Sequence, residues 1–298
     1  MEYKGFLSTL TRKQWERFGL GRRSGVATPL FSLYSEKSIG IGEFPDLKLL
    51  IDWAKLTNMS IIQLLPLNDV GFSFRPYDAQ STFALEPMYL SLDDLIGVDT
   101  GPFKDDIATL RANFPCSGGR VNYKVKQAKL DLLGKIFNTS EIWFKPPDSF
   151  AEYSQRNKFW LRDYALFKVI KERSAEKEWS SWDVKLKERN FPEINLSEKV
   201  YLEEIEFHKW LQWQLFEQFM AVRNYAREKG VLLMGDLPFL ISRDSADVWS
   251  HQDYFKLDLL SGAPPDMYFA NGQRWGMPVY NWDNIANNGY DYVKEKLA

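Results

Sequence analysis

Three stretches of this 298-residue sequence bring together side chains that can do chemistry as a group. Residues 75–90 (RPYDAQSTFALEPMYL) put hydroxyl, amide, carboxylate and aromatic groups into one run, which reads either as a packed loop with an Asx turn at Asp78 or as a ligand-facing loop. Asp236 comes directly after a short buried apolar run and before Leu-Pro-Phe, where a carboxylate is either a ligand contact or the cap of the next turn. Residues 262–282 (GAPPDMYFANGQRWGMPVYNW) mix rings, amides and glycines with no helical or strand period, as a binding wall or lid would. Rings offer flat apolar faces while carboxylates and amides take hydroxyls, so this set suits a sugar. The sequence has 21 Phe, 14 Tyr and 11 Trp, a surplus that leaves rings for a ligand even though most must pack in the core.

Composition narrows the alternatives. A net charge of −2 argues against a nucleic-acid or anionic-membrane partner. Cys116 is the single cysteine, which excludes an intrachain disulfide, and His208 and His251 lie far apart, so neither a zinc site nor a histidine-based triad is readable. There is no apolar run of about 18 residues and no signal-peptide pattern at the start. The expectation is a soluble, unexported protein of the reducing cytoplasm. No glycine-rich phosphate motif follows any strand, which leaves a nucleotide-binding fold with little support.

The elements that would position these residues follow from periodicity. The pattern predicts a strand over Gly25–Tyr34, a helix over Pro45–Asn58 with Leu47, Leu50, Ile51 and Ala54 on one face, and a second strand over Ile61–Leu67. Pro29 and Pro66 belong near strand ends, because each removes a ladder donor. Residues 203–229 read as a long amphipathic helix with the row Phe207, Leu211, Leu215 and Phe219, continued by Val222 and Ala226 and stopped by Gly230. Val231–Met234 is the next strand. About 135 residues separate the second strand from that helix, so an inserted helical subdomain is expected at 96–200, with helices near Tyr123–Phe137 and Phe159–Glu172. Asp244 is expected to cap a helix through Trp249. Strand–helix units with polar sequence after each strand fit an α/β fold, the first part of a (β/α)8 TIM-type barrel, with barrel parts at 1–95 and 201–298; an open doubly wound sheet is the alternative.

At this level the sequence resembles the amylomaltase, or disproportionating-enzyme, family of 4-α-glucanotransferases, relatives of the α-amylases. The resemblance runs from about Ser24 to the end and is carried by GVATPLFSLYSEKSIGIGEF, IIQLLPLND, RPYDAQSTFALEPMYL, FWLRDYALF, GDLPF, DSADVW and the GAPPD and GQRWG segments, in order. It implies a (β/α)8 barrel with helical insertions, no metal or organic cofactor, and transfer of α-1,4-glucan segments between maltooligosaccharides. By motif, Tyr77 would stack or hydrogen-bond at the sugar next to the scissile bond and Asp236 would hold that sugar's hydroxyls. Asp266, Gln273 and Trp275 would lie on a mobile loop over the acceptor side.

Retaining transfer needs a nucleophilic and an acid/base carboxylate about 5–5.5 Å apart. The family's Arg-[Ile/Leu]-Asp-His-type nucleophile motif does not occur in residues 1–298. The resemblance therefore implies no catalytic carboxylate within this chain, with the nucleophile and acid/base expected beyond Ala298. On this reading the chain is the N-terminal portion of the enzyme, inactive alone. An α-glucan hydrolase and a non-catalytic glucan-binding product of a shortened gene are the alternatives.

Overall fold

Two short apolar runs with β-branched residues, Gly25–Thr28 (β1) and Ile61–Leu64 (β2), pair in parallel, and Leu232–Met234 (β3) pairs in parallel on the other side of β2. These come from a computed structural model that describes residues 3–116 and 119–297. Ala298 lies outside the described residues. The strands are shorter than periodicity suggested. β1 ends before Pro29, which opens a 3₁₀ turn at Leu30–Ser32, and β2 ends before Leu65-Pro66. Each proline lies past the end of its strand because it has no N–H to give to a ladder.

Helix α1 (Asp46–Leu56) connects β1 to β2 and buries Leu47, Ile51 and Ala54. Between β2 and β3 the chain forms mostly helix, including α2 (Lys124–Thr139) and α3 (Lys158–Arg173), and it returns through the 28-residue helix α4 (Leu202–Lys229). The row Phe207, Leu211, Leu215, Phe219, Val222 and Ala226 faces the core, and one continuous apolar cluster joins α1, α2, α3, α4 and the sheet. Gly230 ends α4 in the left-handed region at φ 72°, where its N–H and that of Val231 return to Arg227 and Ala226. No atom would obstruct a Cβ there, so the conformation alone sets the cost of a side chain. Gly230→Ala is expected to destabilise by about 1 kcal/mol, read as a lower denaturant midpoint at unchanged slope.

The long loop after β2 has almost no ladder of its own, only an isolated bridge between Asn68 and Leu85 and a 3₁₀ turn at Pro87–Tyr89. Its buried backbone groups still need partners, and α4 supplies them with glutamines. The Gln212 carboxamide accepts from the Leu85 N–H and donates to its C=O, both at 2.8 Å. Gln218 does the same at Ser91 (2.9 and 2.8 Å) and Gln214 at Ile96 (2.9 and 2.8 Å). Each side chain thus pairs as a neighbouring strand would.

Phe255–Ala263 (β4) and Gln273–Tyr280 (β5) form an antiparallel hairpin. This corrects the expectation of an aperiodic loop over 262–282. Register shifts on either side of Leu260 break the alternation of facing residues, and the outer half of the hairpin is exposed on both faces, so no period of two survives in the sequence. A Cβ on Gly262 would lie 2.1 Å from the Gln273 carbonyl oxygen, so only glycine fits where the arms cross. A last helix, α5 (Asp291–Leu297), packs Tyr292 against the hairpin root through ring contacts with Phe255 and Tyr280. Among the described residues no helix is long and apolar enough to cross a membrane.

Candidate functional site

Tyr77 and Asp236 stand after the C-terminal ends of β2 and β3, neighbouring strands in one parallel sheet. The sheet therefore brings together residues 159 positions apart: the Tyr77 hydroxyl donates to Asp236 Oδ2 at 2.6 Å. This hydrogen bond, with lesser help from partial burial and the negative charge, raises the Tyr77 phenol above its ordinary pKa. The bond holds the hydroxyl while Tyr77 stays 47% exposed to solvent. Asp236 caps no helix, and its Oδ1 has no protein partner among the described residues. Of the two sequence readings of Asp236, the helix cap is not what this carboxylate forms; it accepts from Tyr77 instead. Beside it, Arg75 forms an ion pair with Asp78 at 2.5 Å, in place of the Asx turn expected at Asp78.

Beneath this loop lies a fully buried charge cluster that sequence reasoning missed. Lys126 from α2 reaches Asp69 Oδ1 at 3.0 Å, Glu86 at 2.7 Å and the Gly71 carbonyl at 2.6 Å. Lys168 from α3 reaches Asp69 Oδ2 at 3.0 Å and Gln80 Oε1 at 3.1 Å, and the Tyr164 hydroxyl donates to Asp69 at 2.8 Å. Burial opposes ionisation of Asp69, yet Lys126 and Lys168 outweigh it and hold the carboxyl well below its usual range. Glu86 goes the other way: burial, helped by Asp69, pushes it up against the pull of Lys126. A parallel arrangement places Lys129 on Glu43 at 2.5 Å and on the carbonyls of Met88 and Leu90, and burial likewise raises Glu43. The signal was present in α2, where Lys126 and Lys129 share the helical face of Leu133, Ile136 and Phe137.

Three links stitch the Tyr77 loop to the segment after Asp236. Ser242 N–H donates to the Ala79 carbonyl at 3.2 Å and Ala246 N–H to the Gln80 carbonyl at 2.8 Å. The buried Asp247 carboxylate accepts from the Thr82 N–H and hydroxyl, and from the Tyr292 hydroxyl at 2.9 Å. The short helix Ala246–Ser250 is capped by Ser245, whose hydroxyl accepts from Val248 N–H. Asp244, expected to be that cap, instead pairs with buried Lys171 at 2.6 Å and accepts from the Trp179 N–H.

The remaining sequence-derived site residues lie on the hairpin. Asp266 Oδ1 accepts from the N–H groups of Tyr268 and Phe269, both at 2.8 Å, and so shapes the tip. Gln273 Oε1 accepts from the Trp275 indole N–H at 3.1 Å, and Trp275 is half exposed. Met267 and Tyr268 at the tip are 87% and 79% exposed, a large apolar area with no packing role. The root is anchored by the Tyr280 hydroxyl on the Phe239 carbonyl at 2.9 Å, within the segment that follows Asp236. Among the described residues no hydrogen bond joins Asp266, Gln273 or Trp275 to Tyr77 or Asp236, and no group of three His, Cys, Asp or Glu side chains is placed to hold a metal ion.

This α/β fold is shared with solved amylomaltases. The chain superposes on the amylomaltase of Streptococcus agalactiae, solved with acarbose, with a TM-score of 0.79 at 28% identity over 93% of this chain and 56% of that one. The amylomaltase of Corynebacterium glutamicum shares the fold at a TM-score of 0.78 and 24% identity, covering 93% of this chain and 39% of that one. In sequence, the 4-alpha-glucanotransferase of Chlamydia pneumoniae is 37% identical over 95% of this chain and 54% of its own length, and that of Thermus thermophilus 32% identical over 79% and 47%. The 4-alpha-glucanotransferase family model matches residues 28–298, and the chain belongs to that family. It spans about half the length of the curated relatives it matches.

Proposed function

We propose that this chain supplies the sugar-holding part of a 4-α-glucanotransferase, which moves α-1,4-glucan segments between maltooligosaccharides by retaining double displacement. The observation that carries the reading is the Tyr77–Asp236 pair: a ring held by its hydroxyl with the side chain half open, beside a carboxylate oxygen free to accept sugar hydroxyls. In this reading Asp266, Gln273 and Trp275 belong to a hairpin that covers the acceptor side and keeps water from the covalent intermediate. On the same reading the nucleophile and acid/base belong beyond Ala298, since the family's Arg-[Ile/Leu]-Asp-His-type motif does not occur in residues 1–298, and Asp266 is committed to the hairpin tip. We further propose that β1–β3 are strands of a (β/α)8 barrel with parts at 1–95 and 201–298, that 96–200 is a helical insertion, and that the protein works in the cytoplasm.

Incubated with maltotriose, the 298-residue chain alone is expected to bind it at millimolar concentration without turnover. A longer protein carrying this chain and both carboxylates should give a ladder that includes glucose and products longer than the substrate. Absence of binding removes the site assignment, and transfer by the 298-residue chain removes the placement of catalysis elsewhere. Hydrolysis with no longer products would make the protein an α-glucan hydrolase. In the longer protein Asp236→Asn is expected to cost about 2–3 kcal/mol of transition-state binding at an unchanged melting midpoint. An equal loss of thermal stability would make Asp236 structural.

A further inference from the structure

We infer that Asp247 is a positioning residue that holds the Tyr77 loop against Asp236. The inference rests on the sugar-holding reading of that pair. Tyr77 and Asp236 meet through one hydrogen bond between partly exposed groups, which water competes for, so this bond alone fixes neither loop. The fastening lies a few residues away, where Thr82 and Asp247 are both buried. There the carboxylate takes the Thr82 N–H and hydroxyl, and the Ala246 N–H just before it takes the Gln80 carbonyl. Gln80 itself is anchored from below by Lys168, and its N–H donates to the Asp69 carbonyl at 2.7 Å. The segment 79–82 is therefore pinned on one side to the buried charge cluster and on the other to Asp247, and Tyr77 extends from it toward Asp236. Removing Asp247 leaves two donors on Thr82 without their partner in a buried place, and the loop must move to hydrate them. The same carboxylate accepts from Tyr292 on α5, whose hydroxyl also meets the Thr82 side chain and whose ring packs on Phe83, so α5 supports the same fastening from the hairpin side.

The raised phenol of Tyr77 reports on its contact with Asp236 whether or not sugar binds. The test is the Tyr77 ionisation, followed by carbon NMR of labelled tyrosine and assigned with Tyr77→Phe, together with maltotriose titration, in Asp247→Asn, Thr82→Val and Tyr292→Phe. In folded Asp247→Asn and Thr82→Val, Tyr77 is expected to titrate lower, toward the ordinary value of about 10, with maltotriose bound about tenfold more weakly. Tyr292→Phe, which keeps the ring and leaves both Thr82 donors on Asp247, should shift both less. A Tyr77 titration that stays raised in folded Asp247→Asn overturns the inference, as does an equal shift in Tyr292→Phe, which would make general packing the cause. Thr82→Val, which keeps the side chain's shape, decides the matter if Asp247→Asn does not fold. Failure of the wild-type protein to bind maltotriose overturns the sugar-holding reading instead, while the Tyr77 titration still judges Asp247.

Discussion

Asp69→Asn is expected to lower the unfolding free energy by about 3–5 kcal/mol, measured as a drop in denaturant midpoint at constant slope. The substitution keeps shape and removes charge, so the loss comes from Lys168, which is left buried with the Gln80 amide as its polar contact, and from a weakened Lys126. Glu86→Gln should cost less, because burial and the neighbouring Asp69 already favour the proton on Glu86. A Glu86→Gln loss exceeding that of Asp69→Asn would show that charge balance is not what holds the cluster. The pH dependence follows with opposite signs. Asp69 has a depressed folded value, so its contribution is present above the ordinary carboxylate range and disappears only as pH falls through that depressed value. Glu86 and Glu43 have raised values, so their contribution is full below the ordinary range and is lost as pH rises through the raised values. The deficit of Asp69→Asn relative to wild type should therefore persist unchanged down to about pH 4.

Gln212→Leu is the second large effect. It preserves approximate volume but strips the Leu85 N–H and C=O of both their partners, and the Tyr164 hydroxyl of a third contact at 3.2 Å. Each unsatisfied buried group costs about 1–3 kcal/mol, so the two backbone groups together should remove a large part of a typical stability. Hydrogen exchange at Leu85 and its neighbours should rise before that of α4 itself, because the helix keeps its own ladder. Uniform acceleration throughout α4 would instead mean that Gln212 matters for helix packing.

The parts legible in the sequence are those whose physics is local. The α4 row from Phe207 to Ala226 and its stop at Gly230 follow from a period of 3.6 and a left-handed cap, and both stand where expected. The position of Asp236 just past a strand was legible from the apolar run before it. Tyr77 was named through a motif, and its bond to Asp236 depends on strand order, which no local pattern encodes. The buried lysines were hidden for a different reason. Lys126, Lys129, Lys168 and Lys171 belong to a residue type that is almost always solvated, so lysine positions on the apolar face of α2 and α3 look like polar surface in the sequence. The hairpin was hidden by its irregular register, since strand periodicity is readable only where one face has a core to meet.

The pairing of glutamines with the loop after β2 also sets an order of events during synthesis. Gln212 follows Leu85 by 127 residues, Gln218 follows Ser91 by the same interval, and Gln214 follows Ile96 by 118. When the loop leaves the ribosome its partners have not yet been made, and at about 5–20 residues per second the wait lasts on the order of 6–25 s. For that interval the segment bearing Tyr77 is a flexible, aromatic-rich tether. Any nascent-chain binder that shields it would act before α4 is complete, and a pause in translation after residue 218 would let the loop dock before the hairpin is made.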